Sequence, residues 1–366
     1  MPDAGQCPTA AASRRRQATM TPRVAVAHRT HYAYDRTVSL SPHAIRLRPA
    51  PFVRPRIESY ALDITPTPDA VHWQEDASGN WIARVVFAEP TRRLDINVRF
   101  VASLPAFNPF DFLLADRADE FPFTYADEDR STLAACLASE PPGPRLAAWL
   151  ADARARFGSG RPRTVDFLVA MNRAIADVVG YTRRYEQGVQ DSEETLGLAS
   201  GSCRDSGWLL TQALRHCGIA ARFVSGYLIQ LTDTGAKFDS VDLHAWCEAY
   251  VPGAGWIGLD ATSGLLTAQG HLPLARAALP ASASPVEGYA DPSESHLSFD
   301  MEVTRLAAHP PADGTSEREL HAFRYRDPGS GAWRTAAFPA SLPEIQSGYA
   351  EFDLIDLPTS MRGDAP

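Results

Sequence analysis

Cysteine is scarce in this 366-residue chain: there are five, at positions 7, 136, 203, 217 and 247, and no two form a Cys-x-x-Cys pair. An odd, scattered set argues against a disulfide framework and suits a reducing compartment, so a cytoplasmic address is expected. The nearest approach to zinc-ligand spacing is His244 with Cys247, which strand alternation would aim at opposite faces, so no metal is expected. No Asp-rich loop of EF-hand form occurs, and calcium is not expected either. The sequence has no uninterrupted apolar run of about 18 residues that could span a bilayer, so a membrane partner is excluded from the reading. It also lacks a long basic run. Its 35 Lys and Arg against 44 Asp and Glu give a net charge of −9, which is not the electrostatic footprint of a nucleic-acid binder. Arg14, Arg15 and Arg16 are followed by no apolar block, so residues 1–20 read as a disordered extension rather than a secretory signal.

What is present is a chain with 45% apolar residues, enough for a core and long enough for two or three domains. Val24, Val26, His28, Thr30, Tyr32 and Tyr34 make a period-two row that predicts a strand. Further strands are predicted at Ala44–Leu47, Ser59–Ile64, Val71–Gln74, Trp81–Phe87 and Leu94–Val101, with a turn at Ser78-Gly79-Asn80. Short strands at this spacing predict a β-sandwich over 21–105. Its His28, His31, His43 and His72 read as structural histidines on half-buried strands. Pro, Phe and Asp crowd the following segment, which reads as a connector over 106–145. Helical spacing then appears in Leu146, Trp149, Leu150, Ala153 and Phe157, and in Leu168, Met171, Ile175 and Val178, with Thr164 as N-cap. Residues 181–200 read as a loop in which Glu193 and Glu194 form a solvated face, and 291–366 as a small β appendage with a strand pair at Leu320–Tyr325 and Trp333–Phe338.

The chemistry concentrates between these segments, in a catalytic domain over 146–290. Gly207, Leu210, Leu214 and Cys217 recur at spacings of three and four before Gly218, which places Cys203 at a helix N-terminus. Unpaired amides and the positive end of the helix dipole favour a thiolate there, and the same amides could hold an oxyanion. Cys217 at the far end of that helix and Cys247 on the other strand face are poor nucleophiles by the same reasoning. His244 starts a strand at Leu243–Val251, and Trp256–Asp260 returns beside it after Pro252-Gly253-Ala254-Gly255. Pairing Tyr250 with Trp256 puts Asp260 opposite Trp246 and diagonal to His244, with Cβ atoms roughly 7 Å apart. His244 is then placed to take the Cys203 proton and return it to a leaving amine, while Asp260 fixes the imidazole. Trp246, on the His244 face, is a candidate substrate-binding wall, and Asp205 is expected to answer the helix dipole or pair with Arg204.

Gly201-Ser202-Cys203-Arg204-Asp205, Ala221-Arg222-Phe223-Val224-Ser225-Gly226-Tyr227, His244-Ala245-Trp246 and Gly255-Trp256-Ile257-Gly258-Leu259-Asp260 together resemble the bacterial transglutaminase-like family. The likeness covers about residues 160–275. His28-Arg29-Thr30-His31-Tyr32-Ala33-Tyr34 and Arg46-Leu47-Arg48-Pro49 resemble the amino-terminal β region that accompanies this core in bacteria. The resemblance implies an α+β, papain-like fold with a Cys-His-Asp triad falling on Cys203, His244 and Asp260, acting without a cofactor on a peptide or protein. Ala261 stands where the family usually has proline, and many longer relatives continue into a large extra domain. Three activities fit these residues: hydrolysis of peptide or isopeptide bonds, which leads because water is always available; transglutamination by an amine acceptor; and, without catalysis, a peptide-binding scaffold.

Overall fold

The computed structural model describes residues 21–139, 141–157, 160–232 and 238–309, together with the strand segments 322–326, 333–337 and 353–355. The amino-terminal part is all strand: β1 (Thr21–Val38), β2 (His43–Ile45), β3 (Arg56–Thr65), β4 (Ala70–Glu75), β5 (Trp81–Val86) and β6 (Thr91–Ser103). The period-two row in β1 buries Val24, Val26, His28 and Thr30 on one side, as alternation requires. Pairing Val24 with Ala102 and His28 with Val98 joins β1 to β6. Apolar side chains of β1, β2, β5 and β6 meet in one core.

The segment expected to be a bare connector carries two short helices, α1 (Asp127–Thr132) and α2 (Ala134–Leu137). It is also fastened to the rest: the Ala220 amide donates to Tyr125 Oη at 3.0 Å, and that hydroxyl donates to the Tyr250 carbonyl at 2.7 Å. After it come α3 (Pro144–Ala155), α4 (Thr164–Val178), β7 (Gly180–Tyr181), α5 (Ser192–Leu198), β8 (Ser200–Gly201) and α6 (Cys203–His216). Two expectations change here. Thr164 is the first residue of α4 rather than its N-cap, and its buried Oγ1 has no partner. The stretch read as a loop contains α5, capped by the Asp191 carboxylate, which accepts the Glu194 amide at 2.7 Å. Glu193 is more than a solvated face: it accepts the Arg145 and Leu146 amides at 3.1 and 2.8 Å, supplying the cap that α3 lacks in its own sequence.

Strands β9 (Ala221–Gln230), β10 (Ser240–Val251), β11 (Gly255–Asp260), β12 (Leu265–Leu266) and β13 (His271–Ala277) form an antiparallel sheet in the order β12-β11-β10-β9-β13. Tyr250 pairs with Trp256 and Cys247 with Leu259, the register that the positions of His244 and Asp260 require. Helix α6 packs on this sheet through Leu209, Leu210, Ala213 and Leu214 against Cys247, Ala249 and Leu259. Gly207 permits the approach, since a Cβ there would sit 3.3 Å from the Trp246 backbone.

Two late strands return to the amino-terminal part. β14 (Val286–Glu287) extends the sheet β14-β2-β5-β4, and β15 (Ser295–His309) pairs beside β1 in the sheet β15-β1-β6-β3. The sandwich is therefore completed by β14, from the end of the expected catalytic domain, and by β15, from the stretch expected to be an appendage, where Leu297, Phe299, Met301 and Val303 alternate as a strand should. Its core also continues through Tyr227, Ile229, Val241, Leu272 and Leu274 of the second sheet, and residues 21–308 make one compact unit. A separate unit holds β16 (Ala322–Arg326), β17 (Trp333–Ala337) and β18 (Asp353–Ile355), with β16 pairing antiparallel to both neighbours. Leu320, Phe338 and the Asp327-Pro328-Gly329 turn lie outside the described residues. Among the described residues no helix is long and apolar enough to cross a membrane.

Two contacts in this framework yield measurable expectations. His28 of β1, 1% exposed, sits between Tyr227 Oη of β9 at 2.8 Å and Thr30 Oγ1 at 2.9 Å. Burial pulls its imidazole down to about 4. A folded-state value below the unfolded one means the unfolded chain binds the proton first as pH falls, so this contribution is intact above about 6.5 and is lost between there and about 4. The loss is on the order of 3 kcal/mol, and His28→Gln is expected to flatten the decline of urea-melt stability over that interval. At Gly226, an added Cβ would lie 2.4 Å from the Leu272 carbonyl and 2.5 Å from the Trp246 ring. Gly226→Ala is expected to cost about 1–3 kcal/mol by overpacking, read from the same melts.

Candidate active site

Cys203 is the first residue of α6, and the turn that carries it is organised by one carboxylate. Asp205 is fully buried; its Oδ2 accepts the Ser202 amide and hydroxyl, both at 2.7 Å, and its Oδ1 accepts Arg184 Nη1 and the Gln190 amide, both at 2.7 Å. Burial alone would raise this carboxyl; the Gln190 amide, Arg184 and Ser202 outweigh it and hold it below the usual carboxylate range. The expected pairing with Arg204 is not made. Arg204 instead donates to the Arg184 and Glu186 carbonyls, because consecutive residues of a helix do not face each other. The strand entering α6 is held as well: β8 runs parallel to β7, with the Thr182 amide on the Gly201 carbonyl at 2.8 Å. Cys203 thus sits at the end of a segment fixed on three sides, packed beside Phe223 and Ala245.

His244 comes from β10, in register with Gly226 of β9. Its imidazole is close enough to Cys203 for the thiol to help raise its pKa, and its Nε2 lies 3.1 Å from Asp260 Oδ1, an ion-pair contact short of an aligned hydrogen bond. Burial alone would lower the imidazole value, but Asp260 and Cys203 outweigh it and raise it to about 10. Asp260, at the end of β11, also accepts the Thr262 amide on Oδ1 at 3.0 Å and the Ser263 hydroxyl on Oδ2 at 2.9 Å. Burial would raise this carboxyl too, yet His244 and then His271 hold it well below the carboxylate range. The three residues singled out in the sequence, Cys203, His244 and Asp260, are therefore brought together.

Two findings differ from the sequence reading. Trp246 is 1% exposed, so it offers no surface to a substrate. Its ring lies over Gly226, 6.2 Å from the His244 ring and 5.3 Å from that of His271, and forms an inner support for both imidazoles. His271 was not singled out at all. It opens β13, and its Nε2 lies 3.4 Å from Asp260 Oδ2. Its sequence signal is weak, a lone histidine between Gly270 and Leu272. The ligand atoms of His244, Asp260 and His271 lie within 4.8 Å of one another, a spacing at which a divalent cation could be held. Both Asp260 oxygens, however, already accept protein donors. The remaining described thiols are unlike a nucleophile's. Burial raises Cys136 and Cys217, with nearby arginines offsetting part of it, and pushes Cys247 up to about 12.

With this geometry established, similarity to known proteins is informative. Residues 24–103 match the bacterial transglutaminase-like N-terminal region, and residues 153–261 match the transglutaminase-like superfamily. An uncharacterized protein of Mycobacterium tuberculosis is 26% identical over 304 residues, covering 77% of this chain and 92% of its own length. One from Mycobacterium bovis matches to the same extent. Among solved structures, a candidate cysteine protease from Cytophaga hutchinsonii has the same fold, with a TM-score of 0.60 and 18% identity over 79% of this chain and 92% of that one. The chain belongs to the bacterial transglutaminase-like family, a family of cysteine-based enzymes, and joins that family's amino-terminal β region to its α+β core.

Proposed function

We propose that this protein is a cysteine hydrolase of peptide or isopeptide amide bonds, with Cys203 as nucleophile, His244 as acid and base, and Asp260 as orienting group. The observation that carries the reading is a thiol at the N-terminus of α6 beside an imidazole that lies 3.1 Å from a buried carboxylate. Asp260 and Cys203 hold the His244 ring protonated around neutrality, with a value raised to about 10, and the reactive form in this reading pairs that imidazolium with a thiolate favoured by the α6 N-terminus. The thiolate attacks the amide carbonyl carbon, and the oxyanion that forms is held by the Cys203 amide at the helix end. The C–N bond then breaks and His244 gives its proton to the departing amine. Water adds to the thioester, yielding its proton to His244, and collapse releases the carboxylic acid and restores the ion pair. The similar Cytophaga protein, described as a candidate cysteine protease, is consistent with water as the acceptor.

The test of the ion pair is alkylation by a haloacetamide across pH. The rate at Cys203 is expected to stay nearly level through neutrality, to exceed that at Cys217 at least about tenfold, and to fall to that of an ordinary thiol in His244→Ala. A Cys203 rate no greater than that of Cys217 would end the proposal. The choice of acceptor is tested separately with a glutamine-containing peptide and an added primary amine. Ammonia or amine release without incorporation of the added amine supports hydrolysis; stoichiometric incorporation replaces it with transglutamination. Asp260→Asn is expected to lower turnover by about a hundredfold or more, through misplacement of the imidazole rather than loss of the nucleophile.

A further inference from the structure

We infer that His271 is a positioning residue for this site: it fixes the Asp260 carboxylate so that Oδ1 remains turned to His244. The inference rests on the reading of Cys203, His244 and Asp260 given above and extends it by one residue. His271 belongs to β13, which is separated from β11 by two strands in the sheet order, so its contact with Asp260 is not a consequence of strand pairing. The short connector from β12 delivers it. That connector is pinned at both ends, by the Thr267 amide on the Gly258 carbonyl at 3.0 Å and by the Ile229 amide on the Gly270 carbonyl at 2.8 Å. Position 270 has no room for a side chain, since a Cβ would lie 2.1 Å from the Ile229 carbonyl oxygen. The backbone is thereby drawn tightly to β9 immediately before His271.

The ring is then held by polar contacts at both nitrogens. The Ala268 amide donates to Nδ1 at 3.2 Å, so the ring proton lies on Nε2 and is directed to Asp260 Oδ2 at 3.4 Å. The same ring meets Trp246 edge-on, at 5.3 Å and 86°. Packing against Trp246 asks only for a flat apolar group, which would leave the Ala268 amide without its acceptor and Asp260 Oδ2 without one of its donors. What the imidazole adds is a second anchor on the carboxylate. Ser263 and His271 hold one oxygen, and the other is left to the Thr262 amide and His244. Asp260 is thus constrained against the small rotation that would withdraw it from the catalytic ring.

His271→Leu and His271→Gln separate this role from packing. Glutamine offers an amide N–H for Asp260 and a carbonyl for Ala268, whereas leucine offers neither. Hydrolysis of the p-nitrophenyl ester of an N-blocked glycine and haloacetamide alkylation of Cys203 are followed across pH, with thermal melts confirming that each variant is folded. The Leu variant is expected to lose about ten- to a hundredfold in kcat with KM near the parent's, and to need a higher pH for half-maximal alkylation. The Gln variant is expected to recover most of both. A folded Leu variant with the parent's kcat and alkylation profile, or a Gln variant as impaired as Leu, overturns the inference. If the Leu variant does not fold, His271→Phe, which keeps a flat ring beside Trp246, replaces it and is read by the same criteria. Failure of the underlying reading has a different signature: the parent itself would then alkylate at Cys203 no faster than at Cys217.

Discussion

The pairing of Tyr250 with Trp256 is the constraint on which the site depends. Side chains along a strand change face at every residue, so a slip of one position in this hairpin would carry Asp260 to the far side of the sheet and leave His244 without its carboxylate. Nothing in α6 could compensate, because the thiol is delivered from a separate element and meets only the imidazole. The site is therefore assembled from two independent placements, a helix end and a hairpin register. Their meeting point is His244.

Each placement is secured by a buried carboxylate with a full set of donors. Asp205 gathers Ser202, Arg184 and Gln190 around the turn entering α6. Asp260 gathers Thr262, Ser263 and two histidines at the end of β11. A carboxylate removed from water is stable only when so satisfied, and the number of donors explains why both remain ionised despite their burial. The amino-terminal sheets add a third support, since their core runs directly into β9 and β13 through Tyr227 and Leu272.

Much of this was legible in the sequence, for identifiable reasons. Strand parity and the turn at Pro252–Gly255 specify the hairpin register, and a spacing of three and four after Cys203 specifies the helix and its start. Glycine marked close approach at Gly226, though what approaches it, the Trp246 ring, is visible only in three dimensions. The parts that were not legible involve contacts without a periodic signature. His271 reaches Asp260 through a tight connector rather than a ladder. Arg184 reaches Asp205 across 21 residues, where the adjacent Arg204 was the local guess. Helix α5, at seven residues, is too short for periodicity, although Asp191 followed by Glu194 is a capping pattern. Trp246 showed its face but not its depth, and burial removes it from the substrate's reach. β15 shows an alternation of its own; what the sequence could not supply was its partner, β1, more than 250 residues earlier.

The central claim is that one proton resides on His244 rather than on Cys203 at neutral pH. Imidazole nitrogen chemical shifts of isotopically labelled protein, recorded from neutral to alkaline pH, report on that proton directly. The account requires His244 to be imidazolium at pH 7, to lose its proton only toward about 10, and to titrate at lower pH once Cys203 is replaced by alanine. A neutral His244 ring at pH 7 in the parent protein would contradict it.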